Sequence, residues 1–93
     1  MEYIITFNNT NSAIKGEKQL LDTGLNIAVM PLPPQIKAGC GICLRIKPAE
    51  LQAAIKVLEQ TGLADADLYC KEASGNRFVY TEILDRSGLW NKN

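Results

Sequence analysis

Lys37-Ala38-Gly39-Cys40-Gly41-Ile42-Cys43-Leu44-Arg45-Ile46 places a glycine-flanked thiol at the mouth of an apolar strand. Cysteines are common in protein cores, and there they need no glycine on either side. Gly39 and Gly41 permit positive φ and leave the sulfur uncrowded by neighbouring side chains. An accessible thiol at a loop-to-strand junction is a candidate nucleophile or group carrier, because the thiolate is the reactive species. The competing reading is a tight turn that happens to bury a cysteine.

Cys43 completes a C-x-x-C with Cys40. Redox pairs of that spacing usually open a helix, whereas this one runs into a strand. In extended backbone, Cα atoms three residues apart are about 10 Å apart. A disulfide needs less than ~7 Å, so the pair bridges only if Gly41-Ile42 forms a turn. Otherwise Cys43 lies on the open face of the sheet beside Arg45. Cys70 shares the parity of Ala66 and Leu68 and is expected in the core. The three cysteines lack a fourth soft ligand within the chain, so no metal site is expected, neither zinc nor an iron–sulfur cluster. Lys37, Arg45 and Lys47 flank the thiol in sequence, where they either favour its ionised form or simply face solvent.

With 93 residues the chain is long enough for one domain with a single modest core. Ten basic residues balance ten acidic ones, which argues against binding to nucleic acid or an anionic membrane. No apolar run approaches the ~20 residues of a membrane span. The start, Met1-Glu2-Tyr3-Ile4-Ile5, has an acidic residue and no basic region, so no signal peptide and a cytoplasmic location are expected. Three cysteines, an odd number, do not suggest a structural disulfide framework. Histidine is absent, which excludes every Cys-His or Ser-His catalytic pair.

The elements that must position Cys40 follow from the patterning. Tyr3 to Phe7 is β-branched and aromatic, hence a strand. Asn8 to Ser12 is rich in helix-capping residues. The helix it starts carries Ala13, Ile14, Leu20 and Leu21 at helical spacing and ends at Thr23-Gly24. Leu25 to Met30 is a second strand, stopped by Pro31-Leu32-Pro33-Pro34. In the third, Ile42 to Lys47, Ile42, Leu44 and Ile46 face one way and Cys43, Arg45 and Lys47 the other. Pro48 opens a second helix with a buried stripe of Leu51, Ala54, Ile55 and Leu58, closed by Thr61-Gly62. Asp67 to Lys71 is a fourth strand. Ser74-Gly75-Asn76 is a turn, and Arg77 to Ile83 is the candidate fifth strand of a hairpin. The last ten residues, Trp90 among them, are expected to be loosely held.

The order βαββαβ plus an extension predicts an α+β ferredoxin-like sandwich, two helices over one mixed sheet. Residues 1–72 form the domain and 73–93 the extension. Strands one and three then run antiparallel side by side in the middle of the sheet. Cys40 falls near Phe7-Asn8 and the amino end of the first helix. There Asn8, Asn9 and Thr10 could stabilise a thiolate or bound anion, aided by the helix dipole.

These residues resemble the selenium/sulfur carrier protein-like family. The matching features are the opening strand Tyr3 to Phe7, a helix ending in Leu20-Leu21-Asp22-Thr23-Gly24, and an apolar strand into Met30-Pro31-Leu32-Pro33. They continue with Gly39-Cys40-Gly41, Leu44-Arg45 behind it, and a helix closing at Gly62. The resemblance runs from residue 2 to residue 72. It implies a cysteine that holds sulfur or selenium as a persulfide or selenosulfide. That cysteine carries over to Cys40 and its following glycine to Gly41. No family role carries over to Cys43, and the tail from Ala73 onward is additional.

Three functions compete. In the first, Cys40 carries the chalcogen from a donor of the cysteine desulfurase or selenocysteine lyase type to an acceptor protein not identifiable from sequence. The chain is then a carrier rather than an enzyme, and no feature suggests a cofactor such as pyridoxal phosphate. The second is a non-catalytic interaction or regulatory module, with Cys43, Arg45 and Tyr69 at its interface. The third is a thiol–disulfide redox protein using Cys40 and Cys43. The oligomeric state stays open, a homodimer through sheet or tail included.

Overall fold

The computed structural model describes residues 2–63 and 66–83. Five strands and two helices follow in the order β1 (Glu2–Thr6), α1 (Thr10–Asp22), β2 (Ile27–Pro31), β3 (Ile42–Ile46), α2 (Leu51–Gln60), β4 (Asp67–Ser74) and β5 (Arg77–Glu82). The strands form one sheet in the order β2-β3-β1-β4-β5. Every neighbouring pair is antiparallel, so the sheet is not the mixed one expected. The sequence-adjacent pairs β2–β3 and β4–β5 are antiparallel hairpins. Each of the two longer β-α-β connections has a third strand inserted between its ends, so no parallel pair touches. This α+β architecture is consistent with a ferredoxin-like type of fold.

The strand alternation divides the apolar residues between two faces. Ile5, Phe7, Leu44, Ile46 and Leu68 join Ala13 and Leu20 of α1 and Leu51, Ala54, Ile55 and Leu58 of α2 in the main core. The stripe expected for α2 is the one observed. A 3-10 turn over Pro48–Glu50 precedes it, with Pro48 at the position where its missing N–H costs nothing. In α1 the buried residues are Ala13, Gly16 and Leu20, while Ile14 and Leu21 are exposed, contrary to their expected place in the apolar stripe. The Phe7 ring packs over Gly16, so that face of the helix is buried, while Ile14 and Leu21 lie outside it.

The opposite face is not open. Ile4, Ile36 and Cys43 form a second buried cluster, with Met30, Leu32, Tyr69 and Tyr80 packed against it. The link from β2 to β3 supplies Leu32 and Ile36. A turn closed by Ile36 N–H on the Pro33 carbonyl folds it back onto the sheet. Pro31 does not stop β2 but is its last paired residue, opposite Ile42. On this edge strand the missing N–H disturbs no second ladder. Leu25 and Asn26 precede the strand, and Leu25 N–H instead bonds the Leu20 carbonyl at the end of α1. Beyond residue 72, β4 continues to Ser74 and β5 pairs with it along its length, from Tyr69–Glu82 to Ser74–Arg77. The expected loose tail with Trp90 lies outside the described residues.

Candidate functional site

Cys40 sits where β1, α1 and β3 meet. Tyr3 pairs with Ile46, Ile4 with Arg45 and Ile5 with Leu44, so the start of β3 lies beside the end of β1. The link from β1 to α1 is only Phe7, Asn8 and Asn9, and it passes directly over Cys40. Phe7 N–H donates to Cys40 Sγ at 3.4 Å. Cys40 Sγ in turn donates to the Ile42 carbonyl at 2.9 Å. One donor and one acceptor therefore fix the sulfur, and the second bond requires the protonated thiol.

The thiol is not accessible as expected. Cys40 is 2 % exposed and belongs to the helix-side core. Gly39 and Gly41 on either side of it are both exposed. Neither glycine has positive φ. Gly39 is required for a different reason: a Cβ there would collide with the carbonyl oxygen of Asn8. At Gly41 a Cβ would meet open space. So Gly39 admits the neighbouring backbone, while Gly41 is under no steric requirement.

The polar residues named from sequence are only partly assembled here. Asn9 is the N-cap of α1, its Oδ1 accepting from Ser12 N–H at 2.8 Å. That oxygen is an acceptor already in use, so it offers nothing to an anion. Asn8 and Thr10 are exposed beside it. Arg45 is not brought to Cys40. It projects from the other face of β3, where its Nε lies 3.4 Å from a Glu2 carboxylate oxygen. Lys71 shares that carboxylate at 3.7 Å and lies over the Phe78 ring, 4.2 Å from its centroid. An open groove of ≈ 660 Å³ between Lys47, Lys71 and Phe78 is at the far end of the strands from Cys40.

Cys43 is fully buried on the face opposite Cys40, not on an open sheet surface. Its Sγ lies 3.7 Å from the Pro31 carbonyl. Burial, and secondarily the Cys40 charge, push its thiol up to about 11, with Lys71 pulling weakly the other way. At neutral pH it is a protonated, unreactive group. Cys40 and Cys43 are both free thiols in separate clusters, so a bridge between them would require rebuilding the start of β3. Cys70 is half-buried rather than in the core where it is expected. Burial and then Glu72 push its thiol up. Among the described residues no group of His, Cys, Asp and Glu is arranged to hold a metal ion.

Three contributors escaped the sequence reading: the Phe7 N–H, the Ile42 carbonyl and Gly16. The first two are backbone groups with no side-chain signature. Gly16 had one, since a glycine inside a helix is disfavoured by about 1 kcal/mol and signals close packing. A methyl there would approach to 2.6 Å from Phe7 Cζ.

Among the described residues no helix is long and apolar enough to cross a membrane. No curated protein and no solved structure matches the chain. The sequence profile of one family, described as Putative Se/S carrier protein-like, matches residues 2–70. That span runs from the start of β1 into β4 and contains Cys40 together with the residues that hold it, so the chain belongs to the Se/S carrier protein-like family.

Proposed function

We propose that this protein is a sulfur or selenium carrier of ferredoxin-like topology acting in the cytoplasm, with Cys40 as the carrier thiol. The observation that supports this most is the placement of Cys40 Sγ under a backbone N–H, between two exposed glycines, within the family-matched segment. The Cys40 thiolate attacks the outer sulfur of a donor persulfide. The new S–S bond forms on Cys40 as the donor S–S bond breaks, and the donor leaves as its own thiolate. An acceptor thiolate takes the outer atom by the same step in reverse. The selenium case is the same exchange through a selenosulfide. Neither step needs a histidine, because each exchanges one thiolate for another. The donor is of the cysteine desulfurase or selenocysteine lyase type.

The burial of Cys40 also favours a second reading, an interaction or regulatory module in which the thiol is structural. Site-resolved alkylation separates the two. In the carrier, Cys40 reacts in the folded protein much faster than Cys43. In the module, Cys40 stays inert until the protein is denatured.

A further inference from the structure

Two glycines far apart in sequence pack against adjacent residues of the β1–α1 link. Gly16 faces the Phe7 ring from α1, and Gly39 faces the Asn8 carbonyl from the Cys40 loop. Phe7 is 3 % exposed, with its ring against the helix. Its N–H is the donor on Cys40 Sγ. Side chain and N–H belong to one residue, so the seat of the ring against α1 helps fix the backbone that carries the N–H. Helices disfavour interior glycine, and the packing of Phe7 is what Gly16 permits.

We infer that Gly16 and Phe7 are positioning residues for the Cys40 thiolate: the glycine seats the Phe7 ring, and the seated ring aims the Phe7 N–H at the sulfur. The inference rests on the reading of Cys40 as the working thiol. A hydrogen bond to the charged form favours that form. The resting S–H on the Ile42 carbonyl favours the protonated form instead. On ionisation that bond is lost and the Phe7 N–H becomes the thiolate's fixed donor. A methyl at residue 16 lifts the ring, withdraws the N–H and disfavours the thiolate. A shorter side chain at residue 7 loosens the seat and acts the same way. Combined, the two changes fill each other's space and restore it.

The test is the pH profile of Cys40 alkylation by iodoacetamide, resolved by mass spectrometry, in the parent, Gly16→Ala, Phe7→Leu and the double variant. Thermal melts confirm which variants are folded. Each single change is expected to slow Cys40 alkylation on the acid side of its profile by roughly three- to tenfold, a fraction of the strength of a hydrogen bond to a charged group. The double variant is expected closer to the parent than either single. If Gly16→Ala does not fold, the comparison of Phe7→Leu with the double variant carries the test alone. Profiles that coincide in all folded variants overturn the inference, as does a double variant no closer to the parent than Phe7→Leu. Sulfur loading from a desulfurase is measured in parallel. Coupled profiles without loading sink the carrier reading alone, and loading with coincident profiles sinks the positioning role alone.

Discussion

Phe7 and Cys40, 33 residues apart, are joined by a hydrogen bond from the Phe7 N–H to the cysteine sulfur at 3.4 Å. It ties the end of the first strand to the entry of the third. A central thiol is thereby held by backbone groups, which no side-chain substitution removes directly. Its environment is altered only through what holds that backbone in place.

The two glycines beside Cys40 are expected to behave differently. Gly39→Ala forces a Cβ into the Asn8 carbonyl, and backbone cannot yield as a flexible side chain can. A loss of about 1–3 kcal/mol, the usual range for overpacking, is expected from denaturant unfolding. Gly41→Ala meets nothing and has no positive φ to relinquish, so its stability stays within about 0.5 kcal/mol of the parent. Equal losses in the two variants would contradict the distinction.

Arg45→Ala should leave the thiol alone. The guanidinium pairs with Glu2 on the other face of the sheet, and both side chains are partly solvated. Such a pair contributes roughly 0–1 kcal/mol. Cys40 alkylation is expected to change by less than about twofold at neutral pH, well under the tenfold that one pK unit represents. A large slowing would place Arg45 back in the site.

Much of this was legible in the sequence, for identifiable reasons. The meeting of Cys40 with Phe7-Asn8 followed from strand order alone, since β1 and β3 must be antiparallel neighbours in a βαββαβ sheet. The stripe of α2 followed from periodicity. What failed was whatever depended on a connection. The Leu32–Ile36 segment folds over the second face and buries Cys43, and a loop has no periodicity to announce that. The buried face of α1 runs through Gly16 rather than Ile14, and a ring from the β1–α1 link packs there. The glycines flanking Cys40 suggest positive φ and an uncrowded sulfur, whereas neither has positive φ and Gly39 admits the close approach of the Asn8 backbone.

Cys43 makes stability depend on alkaline pH. The folded thiol keeps its proton to about 11, against the ordinary 9.0 of a thiol in the unfolded chain. Between those values the unfolded state binds fewer protons than the folded state. The contribution is therefore intact below pH 9 and is lost as pH rises toward 11. Tyr69 and Tyr80, also pushed up chiefly by burial, act in the same direction at the upper end. Unfolding midpoints measured from neutral pH to pH 10.5 should fall in the parent and fall less steeply in Cys43→Ala. The same slope in both proteins would show that Cys43 is not the cause.

The central claim is tested most directly by incubating the protein with a cysteine desulfurase and free cysteine, then mapping added sulfur by mass spectrometry. The account predicts one sulfur atom on Cys40, removable by a thiol reductant. It predicts none in a folded Cys40→Ser variant, and loading that persists in Cys43→Ala. Sulfur transfer undiminished in Cys40→Ser, or its appearance on Cys43 or Cys70 instead, would contradict it.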